Sequence, residues 1–250
     1  MSLEKPPEKP MRLPEKEEIR NPEIKKLREP IRFIIFRMGE KLERGEYPLI
    51  ISDEVSGRFP SLIFREFLRR IYERRGYKTP GLMFIAGGQS EQAALRQKKV
   101  DEIGNKVLEF RKKKKIQGYP KRILIVTETI ETGRSLRPII EALRKIGQEF
   151  DIATVGCGDK EKIHKFSQTL FNTEVFWGLS GTPSIYHDKI LGGVEKSRAE
   201  TFPRKLPDEQ RAQIKINSAN KDAKIIGEEL AEWFEDWIKE RRRRKSKELS

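Results

Sequence analysis

Six oxygen-bearing side chains and one guanidinium crowd into ILIVTETIETGRS, residues 123–135. Thr132, Gly133, Arg134 and Ser135 are the residue types of a phosphate-binding turn. Glycine lets the backbone approach an anion closely, the two hydroxyls donate, and the arginine adds charge. Glu128, just ahead of the turn, can only accept hydrogen bonds and suits donation from sugar hydroxyls. A phosphate turn beside a diol acceptor describes a site for a ribose 5-phosphate.

Such a turn works only if a scaffold aims it. Residues 123–127 form a β-branched run typical of a buried strand, and LRPIIEALRKIG after the turn has the apolar spacing of an amphipathic helix. In open α/β sheets ligands collect where a strand runs into the next helix, because free N–H groups and the positive end of a helix dipole face outward there. Upstream, YPLIISDEVSGRFPSLIFREFLRRIYERRGYKTPGLMFIAGG parses as strand, turn, helix, turn, strand, a βαβ unit. Val100, Ile103, Val107 and Phe110 keep a helical period in the next segment, interrupted by Gly104. EFDIATVGCG and TEVFWGL supply two more strands. The expected core is an open, mostly parallel sheet of about five strands with helices on both faces.

The flanks differ. Residues 1–30 are rich in proline and charge and are expected to form an extended or disordered arm. From Ile31 the positions Ile31, Ile34, Ile35, Met38 and Leu42 predict a helix ending near Gly45. The α/β domain is assigned to residues 31–192, a linker to 193–220, an amphipathic helix to 221–240 and a basic tail containing RRRRKSK to 241–250. The helix carries the stripe Ile226, Leu230, Trp233, Phe234 and Trp237, which packs either on the core or on a second subunit in a homodimer. Its acidic polar face argues against a membrane surface.

Composition narrows the classes. An apolar fraction of 36% over 250 residues supports one good core with additions. A single cysteine, Cys157, excludes an intrachain disulfide framework and suits a reducing compartment. No signal-peptide pattern or membrane-length apolar run is present, so the expectation is a cytoplasmic protein. The formal charge of +14 favours anionic partners, either phosphorylated small molecules or nucleic acid met by the basic tail.

ILIVTETIETGRS resembles the phosphoribosyl pyrophosphate-binding motif of the type I phosphoribosyltransferases: an apolar strand, two acids, two mostly apolar residues and a Thr-Gly-x-Ser/Thr loop. The likeness extends over about residues 46–180. It implies that Ser56, Gly57 and Arg58, after the first strand, touch pyrophosphate, and that Thr132 to Ser135 hold the 5-phosphate. It places Thr127 and Glu128 at the ribose, with Thr127 standing where the family has its first acid, a hydroxyl in place of a negative charge. Glu131 falls where one branch of the family handles the proton of the attacking base nitrogen; the other reading is an acid that merely favours a helix N-terminus. Asp53 and Glu54 would help position Mg²⁺ with pyrophosphate, or are acids of an ordinary turn. RKKKK at 111–115 is either a closing loop over the leaving group or a solvated basic face. Trp177 and Tyr186 could stack on a base, and the helix at 31–43 or the segment after Trp177 would form a hood over it. The implied reaction transfers the phosphoribosyl group to a nitrogenous base with release of pyrophosphate. The competing expectation is a non-catalytic nucleotide sensor that binds RNA or DNA through its basic surface.

Overall fold

The computed structural model describes residues 18–85, 93–114, 122–157, 159–180, 194–195, 204–205 and 210–248. Five strands, β1 (Leu49–Ser52), β2 (Gly81–Phe84), β3 (Ile123–Ile130), β4 (Phe150–Cys157) and β5 (Val175–Ser180), form one sheet in the order β2-β1-β3-β4-β5. All four neighbouring pairs are parallel. The expected open parallel α/β sheet with terminal helical additions is therefore the observed fold. A separate two-strand pair joins β6 (Val194–Glu195) to β7 (Arg204–Lys205).

Helices cover both faces. Leu124 and Val126 of β3 belong to a core shared with α2 (Arg28–Glu43), α3 (Glu54–Arg74) and α7 (Gln210–Glu248). Ile123 and Ile125 point the other way, into a core with α4 (Ala93–Lys114) and α5 (Arg137–Lys145). That alternation is the period-two geometry of a strand buried on both sides. After β4, α6 (Lys160–Lys165) runs into a π-helical turn, Phe166–Phe171, before β5.

The flanks are more ordered than their composition suggests. Within the arm expected over residues 1–30, Asn21 caps the short α1 (Pro22–Lys25) by accepting from the Glu23 N–H at 3.1 Å. Ile24 and Leu27 are fully buried, and Asp222 of α7 accepts from the N–H groups of Arg20 and Asn21 at 3.2 and 2.8 Å. Burial on another helix supplies what the local sequence lacks. Residues 1–17 lie outside the described residues.

At the other end, α7 runs for 39 residues, about 58 Å at helical rise. It takes in the end of the expected linker, the expected helix and most of the basic tail. Asn217, Ser218 and Asn220 are weak helix formers that read as linker. Burial of Ile216, Ala219 and Ala223 overrides them. The Trp stripe packs within the chain: Phe234 meets Phe67 of α3 edge to face, and Trp237 meets Phe36 of α2. Gly227 lets α3 and α7 touch, since a Cβ there would stand 2.8 Å from the Ile63 carbonyl oxygen. Among the described residues no helix is long and apolar enough to cross a membrane.

Candidate functional site

The strand order creates a switch point. From β1 the chain moves outward to β2, then returns past β1 to β3 and continues the other way, so the connections diverge at the carboxyl ends of β1 and β3. The register makes a step there. Ser52 pairs with Val126 as the last residue of β1, whereas β3 and β4 continue together to Ile130 and Cys157. The four extra residues of β3 rise about 13 Å above the end of β1.

The first turn of α3 rests in this step. A Cβ on Gly57 would lie 2.6 Å from the Val126 carbonyl oxygen, 2.7 Å from Ser52 Oγ and 2.8 Å from Asp53 Oδ1. Only glycine fits, and this close approach brings α3 onto the crevice. Pro60, inside α3, lacks the N–H that would bond the carbonyl of residue 56, which loosens the same turn.

The turn after β3 has the predicted form. Gly133 adopts φ +67°, a left-handed conformation that glycine enters without steric cost. The Arg134 N–H donates to Thr132 Oγ1 at 3.4 Å, and a 3₁₀ turn, Arg134–Leu136, leads into α5. The first N–H groups of such a helical start lack partners within the helix. Ser135 Oγ donates to Asp53 Oδ2 at 3.2 Å, which joins the end of β1 to the β3 turn across 82 residues of sequence. Thr132 and Arg134 are exposed, Ser135 is half-buried and Asp53 is buried.

Glu128 is buried, with 1% of its surface exposed, and Thr127 fully so. Strand alternation puts Glu128 on the face of Leu124 and Val126 and Thr127 on the face of Ile123 and Ile125. The two are thus not side by side. Thr127 Oγ1 donates to the Thr129 carbonyl at 3.5 Å. Glu131 is exposed beside the turn. Arg58 lies over the Phe84 ring at 5.3 Å, at the end of β2, and burial pulls its guanidinium below the usual arginine range. Glu54 and Ser56 occupy the first turn of α3, where only the backbone is described.

Other expected contributors lie elsewhere. Arg111 to Lys114 end α4 at the opposite edge of the sheet: Phe110 packs on Gly81, the first residue of β2. A helix running back from the carboxyl end must finish there, so the described part of RKKKK is no closing loop over the crevice. Nor is α2 a hood, because Ile31, Ile34, Ile35, Met38 and Leu42 are buried in the core beside β4 and β5. Trp177, on β5, is stacked by the Arg37 guanidinium at 4.1 Å. Tyr186 and the rest of the segment after Ser180 up to residue 193 lie outside the described residues.

Three residues that the sequence reading passed over complete the crevice end. Ser52 Oγ, Thr129 Oγ1 and Arg137 Nε are buried and have no hydrogen-bond partner among the described residues, as is also true of Arg58 Nε. Ser52 closes the apolar run LIIS, and a polar residue ending a buried strand was the one local signal. Comparison with family models, curated proteins and solved structures found no match.

Proposed function

We propose that this chain binds phosphoribosyl pyrophosphate at the crevice between β1 and β3 and transfers the phosphoribosyl group to a nitrogenous base. The observation that carries the reading is the Ser135–Asp53 hydrogen bond, which brings a glycine-dependent phosphate turn against the end of the neighbouring strand. The 5-phosphate sits on Thr132, Gly133, Arg134 and Ser135, and Glu128 accepts from the ribose hydroxyls. Arg58, together with the turn at Ser56 and Gly57, takes the pyrophosphate, where a desolvated guanidinium pairs strongly with phosphate oxygens. Holding the two reactants in line and stabilising charge on the departing pyrophosphate supply the acceleration. Glu131, at the mouth of the turn, is the group placed to accept a proton from the base.

Among the described residues no cluster of three acidic, cysteine or histidine side chains could hold a metal by itself. Mg²⁺ is commonly held by one or two carboxylates completed by substrate phosphates. Asp53, buried beside a Ser52 hydroxyl that has no hydrogen-bond partner among the described residues, fits that arrangement. When bound, the ion would neutralise charge on the leaving pyrophosphate.

A second reading, a sensor that binds without turnover, is favoured by Thr127. Its side chain is buried and uncharged where the family motif carries an acid. Its nucleic-acid surface would be reduced, since Arg241 and Arg242 pair with Glu40 and Glu43 of α2 at 2.9 and 3.3 Å.

The deciding experiment titrates phosphoribosyl pyrophosphate calorimetrically with and without Mg²⁺, then screens purine and pyrimidine bases for pyrophosphate release. Release with one base supports the transferase, binding without release supports the sensor, and no binding refutes both. Glu128→Gln is expected to weaken ligand binding about tenfold, or about 1.4 kcal/mol. Unchanged affinity would remove Glu128 from the ribose site.

A further inference from the structure

The two basic helix ends of this chain differ in how their charge is met. On α7, Arg241 and Arg242 pair with Glu40 and Glu43 of α2, and Arg244 pairs with Glu240. On α4, Arg111 to Lys114 fill the last turn, and none of the four forms an ion pair among the described residues. Lys112, Lys113 and Lys114 are exposed. The acids around them are engaged elsewhere: Glu109 with Lys106 at 3.4 Å, and Glu73 of α3 with Arg69 at 3.0 Å. A helix carboxyl end carries about half a negative charge and gains from a nearby cation. Lys78, in the turn between α3 and β2, already reaches it, Nζ donating to the Lys114 carbonyl at 3.5 Å. The other cations exceed what the helix end can use, and Arg74, exposed at the end of α3, adds one more.

Among the described residues the large apolar side chains left exposed are Tyr77, at 37%, and Leu108, at 44%, and both adjoin this charge. Tyr77 immediately precedes Lys78, and its ring is held edge to face on buried Tyr72, with centroids 5.6 Å apart. Leu108 stands one turn before Arg111 and Lys112, on their face of α4. Cations alone make a solvated surface; cations around a fixed, exposed ring fit a polymer that alternates phosphates with flat bases. We propose that the end of α4 and the α3–β2 turn form a binding surface for single-stranded nucleic acid. Lys78 and Lys112 to Lys114 meet the phosphates, and a base stacks on Tyr77. A duplex keeps its bases stacked on one another and offers the ring no free face, and an acidic peptide would leave the ring without a flat partner. The surface lies at the opposite end of the sheet from the β1–β3 crevice, so it stands whether or not phosphoribosyl pyrophosphate binds there.

The test uses the full chain and fluorescence anisotropy with labelled oligouridylate, oligothymidylate and a duplex, each about 12 nucleotides long, between about 50 and 200 mM salt. Single strands are expected to bind at least about tenfold more tightly than the duplex. The logarithm of their affinity should fall with the logarithm of salt at a slope of about −3, as for about four phosphate contacts. Lys112→Ala combined with Lys113→Ala should make that slope shallower by about 1.4. Tyr77→Ala should weaken single-strand binding about tenfold with the slope unchanged, whereas Tyr77→Phe, which keeps the ring, should stay within about twofold. Tighter binding of either single strand supports the surface and names the sugar it prefers. Duplex or polyglutamate bound as tightly as the single strands overturns the proposal. So does single-strand binding that survives both the lysine pair and the Tyr77→Ala substitution, or no binding of either strand at about 50 mM salt.

Discussion

At the amino end of the sheet, Asp151 of β4 is fully buried and accepts from Tyr47 Oη and Arg122 Nε at 2.7 Å and from Lys41 Nζ at 3.0 Å. Lys41 also reaches Glu174 at 2.7 Å, and Arg122 reaches Glu149 at 2.8 Å. At the carboxyl end the Ser52 hydroxyl is equally buried and has no hydrogen-bond partner among the described residues. Both ends carry polar side chains in a low-dielectric setting, where a satisfied network rigidifies and an unmet donor is costly. The amino-end cluster closes on itself and ties α2, β4 and the entry to β1 together. Among the described residues the carboxyl end keeps donors unmet around the crevice beside Gly57 and Gly133, which is why the proposed ligand is placed there.

The contrast can be broken most severely at the closed end. Asp151→Ala leaves Lys41, Arg122 and Tyr47 without their shared acceptor and should cost about 3–5 kcal/mol in urea denaturation. Ribose 5-phosphate affinity of the folded protein should stay within about twofold; a large loss there would show that the two ends are not independent. Gly57→Ala comes next. Its Cβ would collide with the Val126 carbonyl and Asp53, so a cost of about 1–3 kcal/mol is expected, together with weaker ribose 5-phosphate binding because the step itself is displaced. Stability without any binding change would place the crevice elsewhere.

Alkaline titration gives a smaller effect with a defined sign. Burial, and then the negative charge of Asp151, push the Tyr47 hydroxyl well above its ordinary value. The unfolded chain therefore loses that proton first, and stability present below pH of about 10 should fall as pH rises further, by at most about 1.4 kcal/mol per pH unit for this group. Tyr47→Phe should flatten this slope in denaturation curves measured between about pH 9 and 11; an unaltered slope would mean that other groups carry it. Ser52→Ala is expected to be the mildest change, within about 0.5 kcal/mol in stability, since no hydrogen bond among the described residues is lost. If it destabilises strongly, the crevice hydroxyl has a structural role after all.

The turn after β3 was legible because every signal for it is local: a β-branched run, then Thr-Gly-Arg-Ser, then an amphipathic helix. The left-handed Gly133 and the 3₁₀ start of α5 follow from those residues. Gly57 was read as the glycine of a loop ahead of a helix, whereas it lies in the first turn of α3 itself, and the Val126 carbonyl that makes it necessary lies on a strand 69 residues away. The Asp151 cluster left no trace in the reading, because its donors lie 29 to 110 residues from Asp151 along the chain. Of the two readings of RKKKK, the structure keeps the basic helical face for Arg111 to Lys114: they continue the helical pattern of Val107 and Phe110, and a helix returning from β2 carries them away from the crevice.

By itself, the sequence determined the strands, the turn after β3 and the α/β class, since propensity, period and glycine placement act over a few residues. Tertiary structure alone decided that residues 18–30 are ordered, because Ile24 and Leu27 are buried beside α7. It alone decided that the Trp stripe closes within the chain, and that Ser135 donates to Asp53. Each of these depends on surfaces distant in sequence meeting with matched shape and charge, which no local pattern encodes.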